Sequence, residues 1–266
     1  MSMATATTLG SIFILLTLQP GGRDPAFSDP LSLARHAVSL AQQALDLGPR
    51  DEEGQRYASE AAQWCVYAYA AALYQQADTD EVRAALREAV DTCARAAPGK
   101  VQVQPLKTCR QSNQHLCAIA VLRMLLSHWG IDAGEDELIR LAGESARTEG
   151  VHVSFALECL PRYGISAFSC QGDEKLLRVS LAAGFPVAVY QWVRRDRDVR
   201  HMRLVVGYET PEEGGEPEWL MVDPAPEMPL NWRADSEELK ALWECAWDED
   251  GHTRWMCVPY AQVKKD

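Results

Sequence analysis

Nowhere in the 266 residues does a Cys-x-x-Cys pair occur, and no His/Cys group has the spacing of a structural zinc site. The sequence therefore indicates no metal, and no cofactor is expected. Basic residues are also in deficit: 26 Lys and Arg stand against 38 Asp and Glu, for a formal charge of -12. That balance argues against a nucleic-acid or anionic-lipid surface, which needs clustered Lys and Arg. The densest basic group, Arg194, Arg195, Arg197 and Arg200, is interrupted by Asp196 and Asp198 and reads as a solvated loop between strands. No segment reads as a membrane span. The apolar stretch Leu9 to Leu18 has the length of a signal-peptide core, too short for a bilayer. No Lys or Arg precedes it, and Gln19-Pro20-Gly21-Gly22 offers no small-x-small cleavage site. Residues 1–28 thus read as an apolar arm or edge strand, and a cytoplasmic location is expected, with an exported form left open.

What is present is 47% apolar composition, enough for at least one sizeable core and for one or two domains. Eight cysteines, at 65, 93, 109, 117, 159, 170, 245 and 257, sit in a chain too large to need disulfide staples, so most are expected to be reduced core thiols. From 29 to 98 apolar residues return every three or four positions, which predicts an all-α region. Its stripes are Leu33, Ala37, Leu40, Ala41, Ala44 and Leu45, then Tyr57, Ala61, Trp64, Tyr67, Ala68, Ala71 and Leu73, then Val82, Leu86, Val90 and Cys93. Tetratricopeptide-like hairpins would fit such pairs, but the diagnostic repeat pattern is absent, and a helical bundle is the expectation. It would either dock a protein partner or buttress the rest of the chain. Ala97-Pro98-Gly99-Lys100 breaks the helical pattern, and a second domain is expected over 101–266. That part predicts helices near 117–129, 134–142, 153–163 and 173–183, followed by strands at 186–192, 202–208, 219–222 and 254–258. Helices first and a largely antiparallel sheet second is an α+β order.

The chemistry concentrates between Gln111 and Gly130. Ala118, Val121, Leu122, Leu125 and Trp129 have helical spacing, so Cys117 falls in the first turn of a helix. Backbone N–H groups and the helix dipole favour a thiolate there. Gln111, on the loop leading into that helix, can join the Cys117 N–H in facing a developing oxyanion. A thiolate nucleophile also needs a base held in one tautomer. His201 heads the apolar run Met202-Arg-Leu-Val-Val-Gly-Tyr208, and Asp223 ends Trp219-Leu-Met-Val. If those two strands form a hairpin across the polar 212–216 turn, His201 and Asp223 lie side by side.

Gln111-x5-Cys117, then Gly184-Phe-Pro-Val-Ala-Val189, then His201-x-x-x-Val-Val-Gly-Tyr208, then Val222-Asp-Pro224 together resemble the bacteriocin-processing, double-glycine leader peptidase family and its stand-alone papain-like relatives. The resemblance covers roughly 105–260 and implies a papain-like fold. It also implies roles for Cys117 as nucleophile, His201 as base, Asp223 as its orienter and Gln111 in the oxyanion hole. The family often follows its nucleophile with Gly-Pro, whereas Ala118-Ile119 stands here, a difference that bears on the neighbouring substrate groove.

A lone cysteine is more often a buried small hydrophobe than a nucleophile; the order of Gln111, Cys117, His201 and Asp223 is what favours chemistry. His115, two residues from Cys117, and His152, after the turn glycine Gly150, are candidates to border substrate. His252 reads as a turn residue, and Trp243, Trp247 and Trp255 as core or cleft wall. The expected function is thiol-dependent acyl transfer from a peptide or other acyl donor, with peptide or amide hydrolysis as the default. Two alternatives stay open: an amide-forming acyltransferase or transglutaminase-like enzyme on the same triad, and an inactive peptide-binding module.

Overall fold

Three helices come first, α1 (Pro30–Leu47), α2 (Glu52–Tyr74) and α3 (Asp80–Ala96), each started by a short oxygen-bearing side chain. Asp29 accepts from the Ser32 N–H, Asp51 from Gly54 and Thr79 from Val82. Ala37, Ala41, Ala61, Ala62 and Ala68 are wholly buried, and such small side chains let helix axes approach closely. α1 packs along both α2 and α3, so the three form one bundle. Leu73, placed by its spacing on the buried stripe, is exposed, although Ala71 and Ala72 of the same turn are buried.

The structure, a computed structural model, describes residues 29–262 except 105, 197–198, 212–214 and 248–250. The expected arm at 1–28 lies outside the described residues. After the bundle come β1 (Lys100–Gln102), α4 (Cys117–His128), α5 (Glu135–Ala142), α6 (Ala146–Glu149), α7 (Phe155–Cys159), β2 (Ile165–Gln171) and α8 (Glu174–Ala182). The chain then forms β3 (Val187–Trp192), β4 (Arg200–Glu209), β5 (Glu218–Val222), β6 (Asn231–Ala234), α9 (Ser236–Trp243) and β7 (Trp255–Gln262). The helix expected over 153–163 is instead α7 followed by a 3₁₀ turn, Leu160–Tyr163, since Pro161 has no N–H to continue the α ladder. Among the described residues no helix is long and apolar enough to cross a membrane.

The strands form one antiparallel sheet in the order β2-β7-β3-β4-β5-β6. β1 pairs with the far half of β4, Gln102 opposite Gly207. A Cβ at Gly207 would lie 2.2 Å from the Val101 carbonyl oxygen, so only glycine allows β1 to pack there. The sheet is covered on both faces. Met202, Leu204, Val206 and Ala188 meet the α4 helix, while Val187, Val189, Val205 and Met221 meet α8 and the bundle. Burial on both sides is why β4 is apolar from Met202 to Tyr208 with the single exception of Arg203. The fold is α+β and papain-like in layout: the Cys117 helix lies on one face of an antiparallel sheet, with an additional helical layer on the other.

The bundle and the sheet share one core. Tyr67 of α2, 5% exposed, contacts Phe185 and Tyr260, with ring centroids 6.5 and 6.0 Å away. Tyr67→Ala is therefore expected to cost about 3–5 kcal/mol. In urea the chain should unfold in a single transition that this substitution displaces as a whole. Two transitions, with only one displaced, would contradict a shared core.

Candidate active site

Cys117 is the first residue of α4. α1, α2, α3, α8 and α9 each have a side chain bonded to a first-turn N–H. α4 has none: Leu116 stands at the cap with no side-chain hydrogen bond, leaving the first-turn amides to other acceptors. The loop before it is shaped locally, with the His115 N–H donating to Asn113 Oδ1 at 2.8 Å and the Leu116 N–H to the Asn113 carbonyl at 3.3 Å. Leu116 and Ile119, fully buried, anchor the helix in the core, and Cys117 is half-buried.

The antiparallel pairing of β4 with β5 brings His201 to Asp223. His201 Nε2 lies 2.7 Å from Asp223 Oδ1, with both residues buried. Asp223 leaves the other ring nitrogen, Nδ1, unengaged, and Cys117 acts on the same imidazole through hydrogen bonding and charge. Asp223 Oδ1 also accepts from the Ala225 N–H at 2.9 Å, and Oδ2 accepts from Arg203 Nε at 2.6 Å.

Gln111 is 5% exposed and its N–H donates to the Pro224 carbonyl at 3.0 Å, which fastens the loop before α4 to the segment after Asp223. Arg110 reinforces that link through its guanidinium, which bonds the carbonyls of Asp223 at 3.3 Å, Met228 at 2.7 Å and Ala225. Gln111 Oε1 is enclosed with no protein partner. The structure thus brings Gln111, Cys117, His201 and Asp223 into one neighbourhood. His115 is half-buried on the loop two residues from Cys117, its ring 3.0 Å from the Gln114 amide. His152 is exposed and bonds Ser154 at 2.9 Å; its turn touches the same loop, since a Cβ at Gly150 would meet the His115 carbonyl at 3.5 Å. Trp243 and Trp255 are wholly buried and Trp247 half-buried, with Trp243 Nε1 donating to the Trp255 carbonyl at 2.9 Å. Among the described residues no group of three or more His, Cys, Asp and Glu is arranged to hold a metal.

Charge in this cluster is set by competing effects. Burial alone would push the Cys117 thiol up, yet the hydrogen bond and charge of His201, with the N–H groups of Met202 and Ala118, hold it below its ordinary value. Burial disfavours the His201 imidazolium, but Asp223 and Cys117 more than compensate and raise its pKa to about 9. Burial would raise Asp223 as well; His201, Arg203 and the Ala225 N–H bring it down to about 2. Burial instead pushes up the other thiols at Cys109, Cys159, Cys170, Cys245 and Cys257. The arrangement favours a thiolate–imidazolium pair braced by a carboxylate.

Two contributors were not anticipated from sequence. Arg203 gave a signal, since a cation in the middle of an apolar strand is seldom buried unless it is paired. Arg110 gave none, because its partners are backbone carbonyls more than a hundred residues away.

With that geometry in place, sequence comparison adds one result that decides the family: the profile of the Peptidase_C39 like family matches residues 103–252, more than half of the chain and the span that holds all four residues. The chain belongs to the Peptidase_C39 like family. It is accordingly a cysteine peptidase-like hydrolase. No curated protein sequence matches it. Among solved structures it is similar to the peptidase domain of Streptococcus ComA, described as a bi-functional ABC transporter involved in a quorum sensing pathway. The identity is 18% and the TM-score 0.44, over 58% of this chain and 97% of that one. It is also similar to procathepsin L 3 of the Tenebrio molitor larval midgut, at 15% identity and a TM-score of 0.42, over 60% of this chain and 69% of that one. A third similar structure is UfSP from C. elegans, at 17% identity and a TM-score of 0.40, over 63% of this chain and 35% of that one.

Because the Asp223 pKa is depressed from 3.8 to about 2, its contribution to stability is complete above 3.8 and is lost as pH falls through about 2. Asp223→Asn, which strands Arg203 without a counter-charge, is expected to cost about 3–5 kcal/mol at neutral pH. In urea titrations that deficit relative to wild type should shrink as the solution is acidified below 3.8. A deficit that stays constant with pH would show that the Asp223 charge is not what the substitution removes.

Proposed function

We propose that this Peptidase_C39 like protein cleaves a peptide or amide bond through a Cys117 acyl-enzyme, with His201 as acid and base, Asp223 as orienter and Gln111 in the oxyanion hole. The observation that carries the reading is the buried His201–Asp223 pair, with Nε2 2.7 Å from Oδ1, on an imidazole whose charge is coupled to the Cys117 thiol.

The Cys117 thiolate adds to the carbonyl carbon of the substrate, and the oxygen takes up the negative charge. The Cys117 N–H and the Gln111 side-chain amide are the donors for that oxyanion, at a place where such donors contribute roughly 3–4 kcal/mol each. His201 Nδ1–H gives its proton to the departing amine as the C–N bond breaks, leaving a thioester on Cys117. Neutral His201 then takes a proton from water as its oxygen attacks the thioester. Cys117 departs as thiolate, and the imidazolium is restored. Asp223 keeps Nε2–H engaged throughout and so fixes which ring nitrogen exchanges protons. If an amine replaces water as acceptor, the same groups form an amide. The substrate class is a peptide or another acyl donor, and the α1–α3 bundle serves as a buttress for the sheet through the shared core.

The test is intact-mass analysis of wild type and Cys117→Ala after incubation with pooled peptide and thioester donors, with and without amine acceptors. A Cys117-dependent acyl adduct or cleaved peptide is expected, with release to water as the main fate. Release to amine even when water competes would make the protein a transferase. No adduct and no product from folded wild type in any pool would favour a binding module over an enzyme.

A further inference from the structure

Arg203 has no solvent exposure, and every polar contact it makes lies within the end of the sheet that carries His201 and Asp223. Its Nε donates to Asp223 Oδ2 at 2.6 Å. One terminal nitrogen donates to the Trp192 carbonyl at 2.9 Å and to Gln191 Oε1 at 3.3 Å, and the other to the Val193 carbonyl at 2.8 Å. The guanidinium carbon sits 5.6 Å from the centre of the Trp232 ring. One side chain on β4 therefore ties together the end of β3, the carboxylate after β5 and an aromatic of β6.

The placement follows from strand register. Leu204 pairs with Val222, so Arg203 stands opposite Asp223 one step further along, and Gln191 pairs with His201. His201 and Arg203, two apart on one strand, point to the same side of the sheet and approach the same carboxylate. Asp223 is divided between them, Oδ1 to His201 and Oδ2 to Arg203. A carboxylate held at only one oxygen can turn about its Cβ–Cγ bond; held at both, it presents a fixed lone pair to Nε2. The fork of a guanidinium suits this task, since its other N–H groups stay free to grip the β3 carbonyls.

We propose that Arg203 is a positioning residue of the Cys117 reaction, acting through Asp223: it fixes the carboxylate so that His201 holds its proton beside the thiolate. This rests on the acyl-enzyme reading above. It assigns to Arg203 a role in the protonation of His201 that a purely structural arginine would not have.

The experiment compares rates of Cys117 alkylation by iodoacetate and by iodoacetamide as a function of pH, in wild type, Arg203→Met and Arg203→Gln, with site occupancy read by peptide mass mapping. The two reagents differ in charge, so a protonated imidazole beside the sulfur favours iodoacetate, and the rate ratio falls as His201 loses its proton. In wild type the fall is expected near the value of about 9 that His201 reaches. In Arg203→Met the midpoint is expected to drop by about one pH unit, the scale of a lost charge-assisted hydrogen bond. Arg203→Gln, neutral but able to donate to Oδ2, is expected to recover at least half of that shift, and it serves alone against wild type if the methionine variant does not fold. An unchanged midpoint in every folded variant would make Arg203 merely structural and overturn the proposal. A midpoint moved upward would also overturn it, by showing that Arg203 competes with His201 for the carboxylate instead of aiming it. A wild type with no iodoacetate preference at any pH would instead overturn the thiolate–imidazolium reading on which the proposal rests.

Discussion

The arrangement of the site depends on one buried carboxylate. Asp223 has no exposure and accepts from His201, Arg203 and the Ala225 N–H. An ion taken out of water at this depth costs several kcal/mol, and the cost is offset only where every lone pair finds a donor. The structure meets that demand by bringing four chain segments to one place: β4 with both cations, the segment after β5 with the carboxylate, the end of β3 with its carbonyls, and the loop before α4. The last is recruited by Arg110 and by the Gln111 N–H, both of which bond carbonyls between Asp223 and Met228. The same constraint that stabilises Asp223 therefore sets where Gln111 and the start of α4 stand.

The covering of both sheet faces reinforces this. β3 and β4 are buried against α4 on one side and against α8 with the three-helix bundle on the other. A strand held between two packed layers has little freedom to slide, and a register shift by one residue would send His201 and Arg203 to the opposite face. Tyr67, Phe185 and Tyr260 pack the bundle against the rear of the sheet.

Much of this was legible in the chain. Helical periodicity placed α1 to α3 closely, since these helices are amphipathic with capping residues in plain view, as at Thr79-Asp80-Glu81. The α4 start at Cys117 and the β4 and β5 strands were read from apolar spacing, and with them the residues that the structure gathers around His201. β2 was missed because Ile165-Ser-Ala-Phe-Ser-Cys-Gln171 lacks strict alternation, its buried positions falling three apart instead of two. α9 was missed although Asp235 and the acidic first turn announce a helix start, because a segment of eight residues is outweighed in sequence by its loop-like neighbours. The brace around Asp223 could not be read at all in its backbone half: carbonyls of Trp192, Val193 and Met228 carry no side-chain signature, and only the fold makes them acceptors for Arg203 and Arg110.

The central claim is that Cys117 is a thiolate because His201, held by Asp223, is an imidazolium. The most direct measurement is the ultraviolet absorbance of thiolate as a function of pH, taken as the difference between wild type and Cys117→Ala and repeated in a His201→Ala background. The account predicts a thiolate signal already present well below the ordinary thiol value of 9.0 in wild type and lost from that range when His201 is removed. A difference signal that emerges only near 9.0, with or without His201, would contradict it.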